Sequence, residues 1–217
     1  MASDIVSRVG QIDILINNAG ARFDAFRRSP DGLEVTFAGN HLGHFLLTHL
    51  LRPLLERAQP ARVISVGSCA HHGANLDCGW MLEERDYDRR IAYANSKLAN
   101  IVFARELAGR VSPALLTSNA ADPGLVATRF ALNNGLVSWL KHLVAHGLRR
   151  QLVSAKRGAE TIVYLATSDE MKGVTGRYFF RRGETSPSML ATDREAGEQL
   201  WKMSLELTGL ASKASNT

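Results

Sequence analysis

Ile12-Asp13-Ile14-Leu15-Ile16-Asn17-Asn18-Ala19-Gly20 decides how the rest of the chain is read. Five residues, mostly β-branched or apolar, are too few for a helix and show no in-out alternation. They stop at small polar residues and a glycine. Such a run is a buried parallel strand that delivers its carboxyl end to a turn. The pattern returns at Arg62-Val63-Ile64-Ser65-Val66, which closes on Gly67-Ser68. It is weaker at Leu115 to Ser118, ahead of Asp122-Pro123-Gly124, and appears last at Tyr178-Phe179-Phe180, after Gly173 and Gly176. Helical spacing fills the intervals. Leu42, Phe45, Leu46 and Leu50 share a face that is expected to end near Pro53; further helices are expected over 92–109, 154–167 and 200–207. Strands alternating with helices predict an α/β fold, a Rossmann-like doubly wound parallel sheet with helices on both faces. In such sheets ligands bind outside the carboxyl ends of the strands, where Asn17, Ser68 and Pro123-Gly124 fall.

The chain has 217 residues, enough for one domain and short for two; residues 1–210 are read as that domain and 211–217 as a polar tail. Hydrophobic residues make up 45% and charged residues 22%, the range of a packed water-soluble protein. The net charge of +5 is not clustered, since Arg149-Arg150 and Arg181-Arg182 stand apart, so nucleic acid is not an expected partner. Cys69 and Cys78 form neither a disulfide framework nor a zinc spacing. His41, His44 and His49 do not share a helix face, and they and His71 and His72 are read as structural or solvent-facing; no metal site is expected. No apolar run reaches the roughly 18 residues that span a bilayer, and no signal peptide follows Met1, so the expected setting is cytoplasmic.

Tyr93 and Lys97 are four apart on a predicted helix, one turn apart on one face. An ammonium beside a phenol favours the phenolate, so Lys97 could bring Tyr93 toward proton exchange near neutral pH, with Ser68 holding a carbonyl or alcohol oxygen. The spacing alone also occurs in solvated surface helices. Asn40 in mid-helix disfavours regular geometry, either as a polar residue bonded to backbone or as a useful distortion; Asn17 and Asn18 could simply tie loops together.

The order of motifs goes further than any one of them. Asn17-Asn18-Ala19-Gly20, Asn40-His41-Leu42-Gly43-His44-Phe45, Val66-Gly67-Ser68, Tyr93-Ala94-Asn95-Ser96-Lys97 and Pro123-Gly124-Leu125-Val126-Ala127-Thr128 follow one another. From Asp13 to Phe180 the chain resembles the short-chain dehydrogenase/reductase family. It is most similar to the retinol dehydrogenase branch, through Leu46-Leu47-Thr48, Ala70-His71-His72, Leu98-Ala99-Asn100 and Leu200-Trp201. The resemblance implies a catalytic tetrad of Asn40, Ser68, Tyr93 and Lys97. Tyr93 would be the acid/base, Lys97 would also bind the nicotinamide ribose, and Asn40 would hold a relay water. It implies a nicotinamide cofactor, NADP or NAD, beside Asn17, Ala19, Gly20, Tyr93, Lys97, Pro123, Gly124, Val126 and Thr128. The segment 130–154 would be the variable substrate lid, here carrying Leu136, Trp139, Leu140, Leu143 and Val144. The helices that begin near Asn40 and Tyr93 would pair two copies into a homodimer or tetramer.

Family members open with a strand, a glycine-rich turn and a helix that hold the pyrophosphate. Only eleven residues precede Ile12, and no glycine cluster follows a strand and opens a helix. The expectation is therefore a partial sheet lacking the first βαβ units, on the order of 60 residues, with the Ile12 strand left as a hydrophobic edge. An upstream part would leave room for an anchor. Two functions stand at this point: an NAD(P)-dependent oxidoreductase interconverting an alcohol and a carbonyl, with a lipophilic substrate among the options, and a non-catalytic interaction protein or fragment.

Overall fold

The computed structural model describes residues 2–76, 84–85, 87–126, 140, 144 and 152–211. The apolar runs become strands β1 (Ile14–Asn17), β2 (Ala61–Val66), β3 (Leu116–Asp122) and β4 (Tyr178–Phe180), parallel neighbours in that order, while β5 (Gly183–Glu184) returns antiparallel on β4. Residue alternation gives the sheet two apolar faces. Val63 packs with Phe45, Leu54, Leu55 and Phe103, whereas Ile64 and Val66 pack with Ile162, Leu165 and Ala166. Both sides of β2 are covered, as a parallel sheet requires.

The helices are α1 (Ala2–Val6), α2 (Val35–Phe37), α3 (Gly43–Ala58), α4 (Arg89–Arg110), α5 (Ala155–Thr167), α6 (Met189–Thr192) and α7 (Arg194–Leu207). Helix α3 corrects the expected stop near Pro53, because it runs on to Ala58 and ends where Gln59 turns to φ 34°. A proline inside a helix costs about 3 kcal/mol. Burial of Leu51, Leu54 and Leu55, at roughly 1.5–3 kcal/mol each, outweighs it. Helix α4 begins at Arg89 because Asp88 caps it, accepting from the Arg90 N–H at 2.6 Å.

Strand β3 is longer than the weak run Leu115 to Ser118 suggested. All seven of its residues are buried between β2 and β4. Its polar residues are tolerated because they are bonded: Asn119 donates to the Val174 carbonyl (2.7 Å) and accepts from the Arg177 N–H (3.0 Å). At the opposite side β1 is an edge among the described strands, with Ile14 and Ile16 exposed at 41% and 42%.

Helix α7 lies across α3 and α4. The Trp201 ring centroid is 5.1 Å from Phe45 and 6.0 Å from Phe103, the Arg110 guanidinium stands 4.5 Å from the indole, and Ser204 meets His41 at 2.9 Å. The chain itself thus covers this face of the α3–α4 pair. Most of the anticipated lid lies outside the described residues; of its apolar positions Leu140 and Val144 are described, and both are exposed. No helix among the described residues is long and apolar enough to cross a membrane.

Candidate active site

The register sets Asn17 of β1 beside Ser65 of β2, and Val66 beside Ala121 of β3, so three strands end side by side. Beyond these ends lies a cavity of about 1020 Å³, walled by Asn18 to Arg22, Val66 to Ala70, Tyr93, Lys97, Pro123 to Val126 and the α5 residues Ala155, Gly158, Ala159 and Ile162. Ser68, Tyr93, Lys97, Ala19, Gly20, Pro123, Gly124 and Val126 are all brought to it. Asn17 and Asn40 are not among its lining residues, and Thr128 lies outside the described residues.

The side chain of Asn17 turns away, donating to the Thr48 hydroxyl (3.0 Å), and so ties β1 to α3; the cavity wall begins at Asn18. Asn40 sits in a π-turn, Ala38–Leu42, the distortion that an asparagine inside a helix invites. Its Oδ1 accepts the Ala21 N–H (2.8 Å), and its Nδ2 donates to the Ala21 carbonyl (2.9 Å) and to the Ser96 hydroxyl (3.0 Å). Both amide N–H groups are thereby used, and the carboxamide fixes the turn after Gly20.

Ser68, two residues beyond β2, is extended and caps a short 3₁₀ turn, Cys69–Gly73, its Oγ accepting the Ala70 N–H at 3.2 Å. The same hydroxyl and the Tyr93 phenol line one cavity. Burial pushes the Tyr93 pKa up strongly; Ser68 opposes this, Asp122 adds to it and Arg22 opposes it. Lys97 lies on the same wall as Tyr93. Its Nζ stands 5.6 Å from the centroid of the Tyr93 ring and donates to the Val66 carbonyl at 3.1 Å, alongside Asn100 Nδ2 at 3.1 Å. Burial lowers the Lys97 pKa to about 8, with the Asp122 carboxylate acting the other way.

A nicotinamide cofactor fits these residues. A Cβ at position 20 would stand 3.3 Å from Asn40 Oδ1 and 3.4 Å from Lys97 Nζ, so a side chain there would fill the space beside the ammonium. Lys97 has three donors and one protein acceptor among the described residues. Gly124 holds φ +74°, which lets the chain turn sharply after Pro123.

Two site residues escaped the sequence reading. Asp122 is buried, accepts the Gly124 N–H (2.8 Å) and the Tyr178 hydroxyl (3.3 Å), and acts electrostatically on both Tyr93 and Lys97. The signal for it was its place at the end of a strand, just before Pro123. Arg22 reaches the cavity from the turn that Asn40 fixes, and nothing in the local pattern marked it.

The parallel α/β sheet gathers serine, tyrosine and lysine outside its strand ends, and known proteins show the family to which such a chain belongs. A family model described as enoyl-(acyl carrier protein) reductase matches residues 1–181, and the chain belongs to the short-chain dehydrogenase/reductase family. Human retinol dehydrogenase 12 is 36% identical over 209 residues, covering 96% of this chain and 65% of that protein. Human retinol dehydrogenase 14 is 38% identical over 203 residues, covering 92% and 60%. The chain thus spans 60–65% of the length of these curated relatives. A solved structure of an uncharacterized protein from Mycobacterium paratuberculosis superposes with a TM-score of 0.71 at 28% identity, over 96% of this chain and 71% of that one. The NADPH-bound carbonyl reductase from chicken fatty liver shares the fold, with a TM-score of 0.60 at 18% identity over 86% and 71%.

Proposed function

We propose that this chain carries the catalytic part of an NAD(P)-dependent oxidoreductase that interconverts an alcohol and a carbonyl, with a lipophilic substrate of the kind that the names of its retinol dehydrogenase relatives suggest. The observation that carries the reading is the meeting of Ser68, Tyr93 and Lys97 in one cavity. The comparisons lend no support to the alternative of a non-catalytic interaction protein.

Ala19, Gly20, Lys97, Pro123, Gly124 and Val126 would hold the cofactor, either NADP or NAD, with Lys97 donating to ribose hydroxyls. The bound cofactor supplies or accepts the hydride at the carbonyl carbon. The protein's own part is proton transfer. Tyr93, its pKa raised by burial, keeps its proton at neutral pH. That is the form needed to protonate a substrate oxygen in the reductive direction. Ser68 can turn its hydroxyl to the same oxygen. The apolar wall of Val126, Ala159 and Ile162 suits an apolar substrate body.

Titration with NADPH and NADH, followed by a panel of lipophilic aldehydes and ketones, tests the proposal. Saturable cofactor binding is expected in the wild type and in Tyr93→Phe, with turnover falling by about 10²- to 10⁴-fold in the variant. Wild-type turnover in Tyr93→Phe would sink the enzymatic reading. A homodimer or tetramer, implied by the family, would form without the Phe45 and Phe103 surface that Trp201 covers.

A further inference from the structure

The buried imidazole of His71 lies three residues beyond Ser68 and has a bond on each side. Its Nδ1 is 2.7 Å from the Ser68 carbonyl oxygen, which can only accept, so Nδ1 carries the hydrogen. Its Nε2 is 3.0 Å from the Ser188 backbone nitrogen, which can only donate, so Nε2 carries the lone pair. Only the neutral Nδ1–H tautomer satisfies both contacts. The ring is 1% exposed and wedged between His72, at 4.0 Å between centroids, and Tyr178, at 5.3 Å and 77°. It cannot swing aside without opening the packing. Burial lowers its pKa, which favours the neutral form.

We propose that His71 is a positioning residue of the active site: it clamps the main chain of Ser68 to the segment leading into α6, and so fixes where the Ser68 hydroxyl stands relative to Tyr93. The clamp joins parts of the chain 117 positions apart. On the Ser68 side the carbonyl accepts twice, from Nδ1 and from the His71 N–H at 3.1 Å. The hydroxyl then stands where the Ala70 N–H reaches it, on the cavity wall that Tyr93 also lines. On the far side Ser188 precedes α6, whose Ala191 is buried in the core with Leu98 and Ala99 of α4, the helix that bears Tyr93. The serine and the tyrosine are thus referenced to the same segment. The inference rests on the proposed catalytic role of Ser68 and Tyr93, although its structural half stands without it.

Amide hydrogen exchange on the full chain reads the clamp directly. In His71→Leu both the Ser188 and the Ala70 amides should exchange about tenfold faster, because one hydrogen bond is lost directly and the other through the serine. His71→Asn can still donate to the Ser68 carbonyl and lacks the far acceptor, so it should restore Ala70 and not Ser188. His71→Gln, whose longer side chain can bring an acceptor to Ser188, should do the reverse. Nitrogen NMR of the wild type should show a protonated Nδ1 and an unprotonated Nε2. In carbonyl reduction His71→Leu should lower kcat about tenfold with KM little changed, and His71→Asn should recover most of it. Unchanged Ala70 exchange in a folded His71→Leu, or an Nε2–H tautomer, would overturn the clamp; wild-type kcat in His71→Leu would overturn its role in positioning. A Tyr93→Phe variant as active as wild type would instead strike at the proposed reaction, leaving the exchange pattern to judge the clamp.

Discussion

His41 shows how much a single buried ring can weigh. Ser204 spends its hydroxyl hydrogen on the Leu200 carbonyl at 2.8 Å, so its oxygen accepts from His41 Nε2–H at 2.9 Å. The ring sits among Phe37, Phe45 and Phe103, and burial drops its pKa to about 3, the Asn100 side chain opposing and His44 adding. Burial and then Lys97 take His44 to about 4. Both shifts are downward, so between pH 6.5 and these values the unfolded chain binds protons that the folded one refuses. Stability is whole above pH 6.5 and falls as the pH drops, by up to about 1.4 kcal/mol per pH unit for each fully buried histidine. Urea unfolding from pH 7.5 to 4.5 should show the midpoint falling, and less steeply in His41→Phe; an equal slope in the variant would show that His41 is not the source. At this scale sequence reading was uneven. Tyr93, Lys97 and Ser68, which line one cavity, stood out by the order of the motifs that hold them rather than by spacing alone. Asn17 did not, because its neighbour Asn18 presents the same side chain to the same turn, and only the strand's in-out alternation decides which one faces Thr48.

Among the elements, the π-turn between α2 and α3 shapes the site most. It aims Asn40 across to the Gly20–Ala21 turn, a contact between residues 19 apart that fixes the approach of the β1 loop to Lys97. Asn40→Ala removes all three bonds and strands the Ala21 groups, which should cost on the order of 2 kcal/mol in urea unfolding and weaken NADPH binding. Asn40→Asp, which keeps the acceptor for the Ala21 N–H, should lose less. Equal losses in the two variants would place the effect elsewhere than in these bonds. Strands β1, β2 and β4 were legible because apolar runs between turn residues have few other uses. Strand β3 was half legible: Leu115 to Ser118 read as a weak strand, while its continuation through Asn119 to Asp122 did not, since Asn119 finds its partners only when Val174 and Arg177 are in place. Pro53 misled for the same reason: the burial that overrides it depends on tertiary packing.

For the molecule as a whole the parallel α/β layering followed from alternation alone, while the role of α7 did not, because a 14-residue amphipathic helix can cover any apolar face. Here it covers α3 and α4. Trp201→Ala should uncover Phe45 and Phe103, and sedimentation velocity at micromolar concentration should show more self-association than in the wild type; an unchanged distribution would mean that Trp201 does not shield this face.

The same helix bears on how the protein is made. The bond between His41 and Ser204 spans 163 positions, and Trp201 closes over rings that leave the ribosome far earlier. During synthesis Phe45 and Phe103 can be packed by the sheet on one side only, and the pocket for His41 has no lid. Closure of such distant contacts is slow, and exposed rings invite association in the meantime. The nascent chain therefore carries an unfinished core from the emergence of Phe103 onward, and reaches its native packing only once residues 194–207 have emerged.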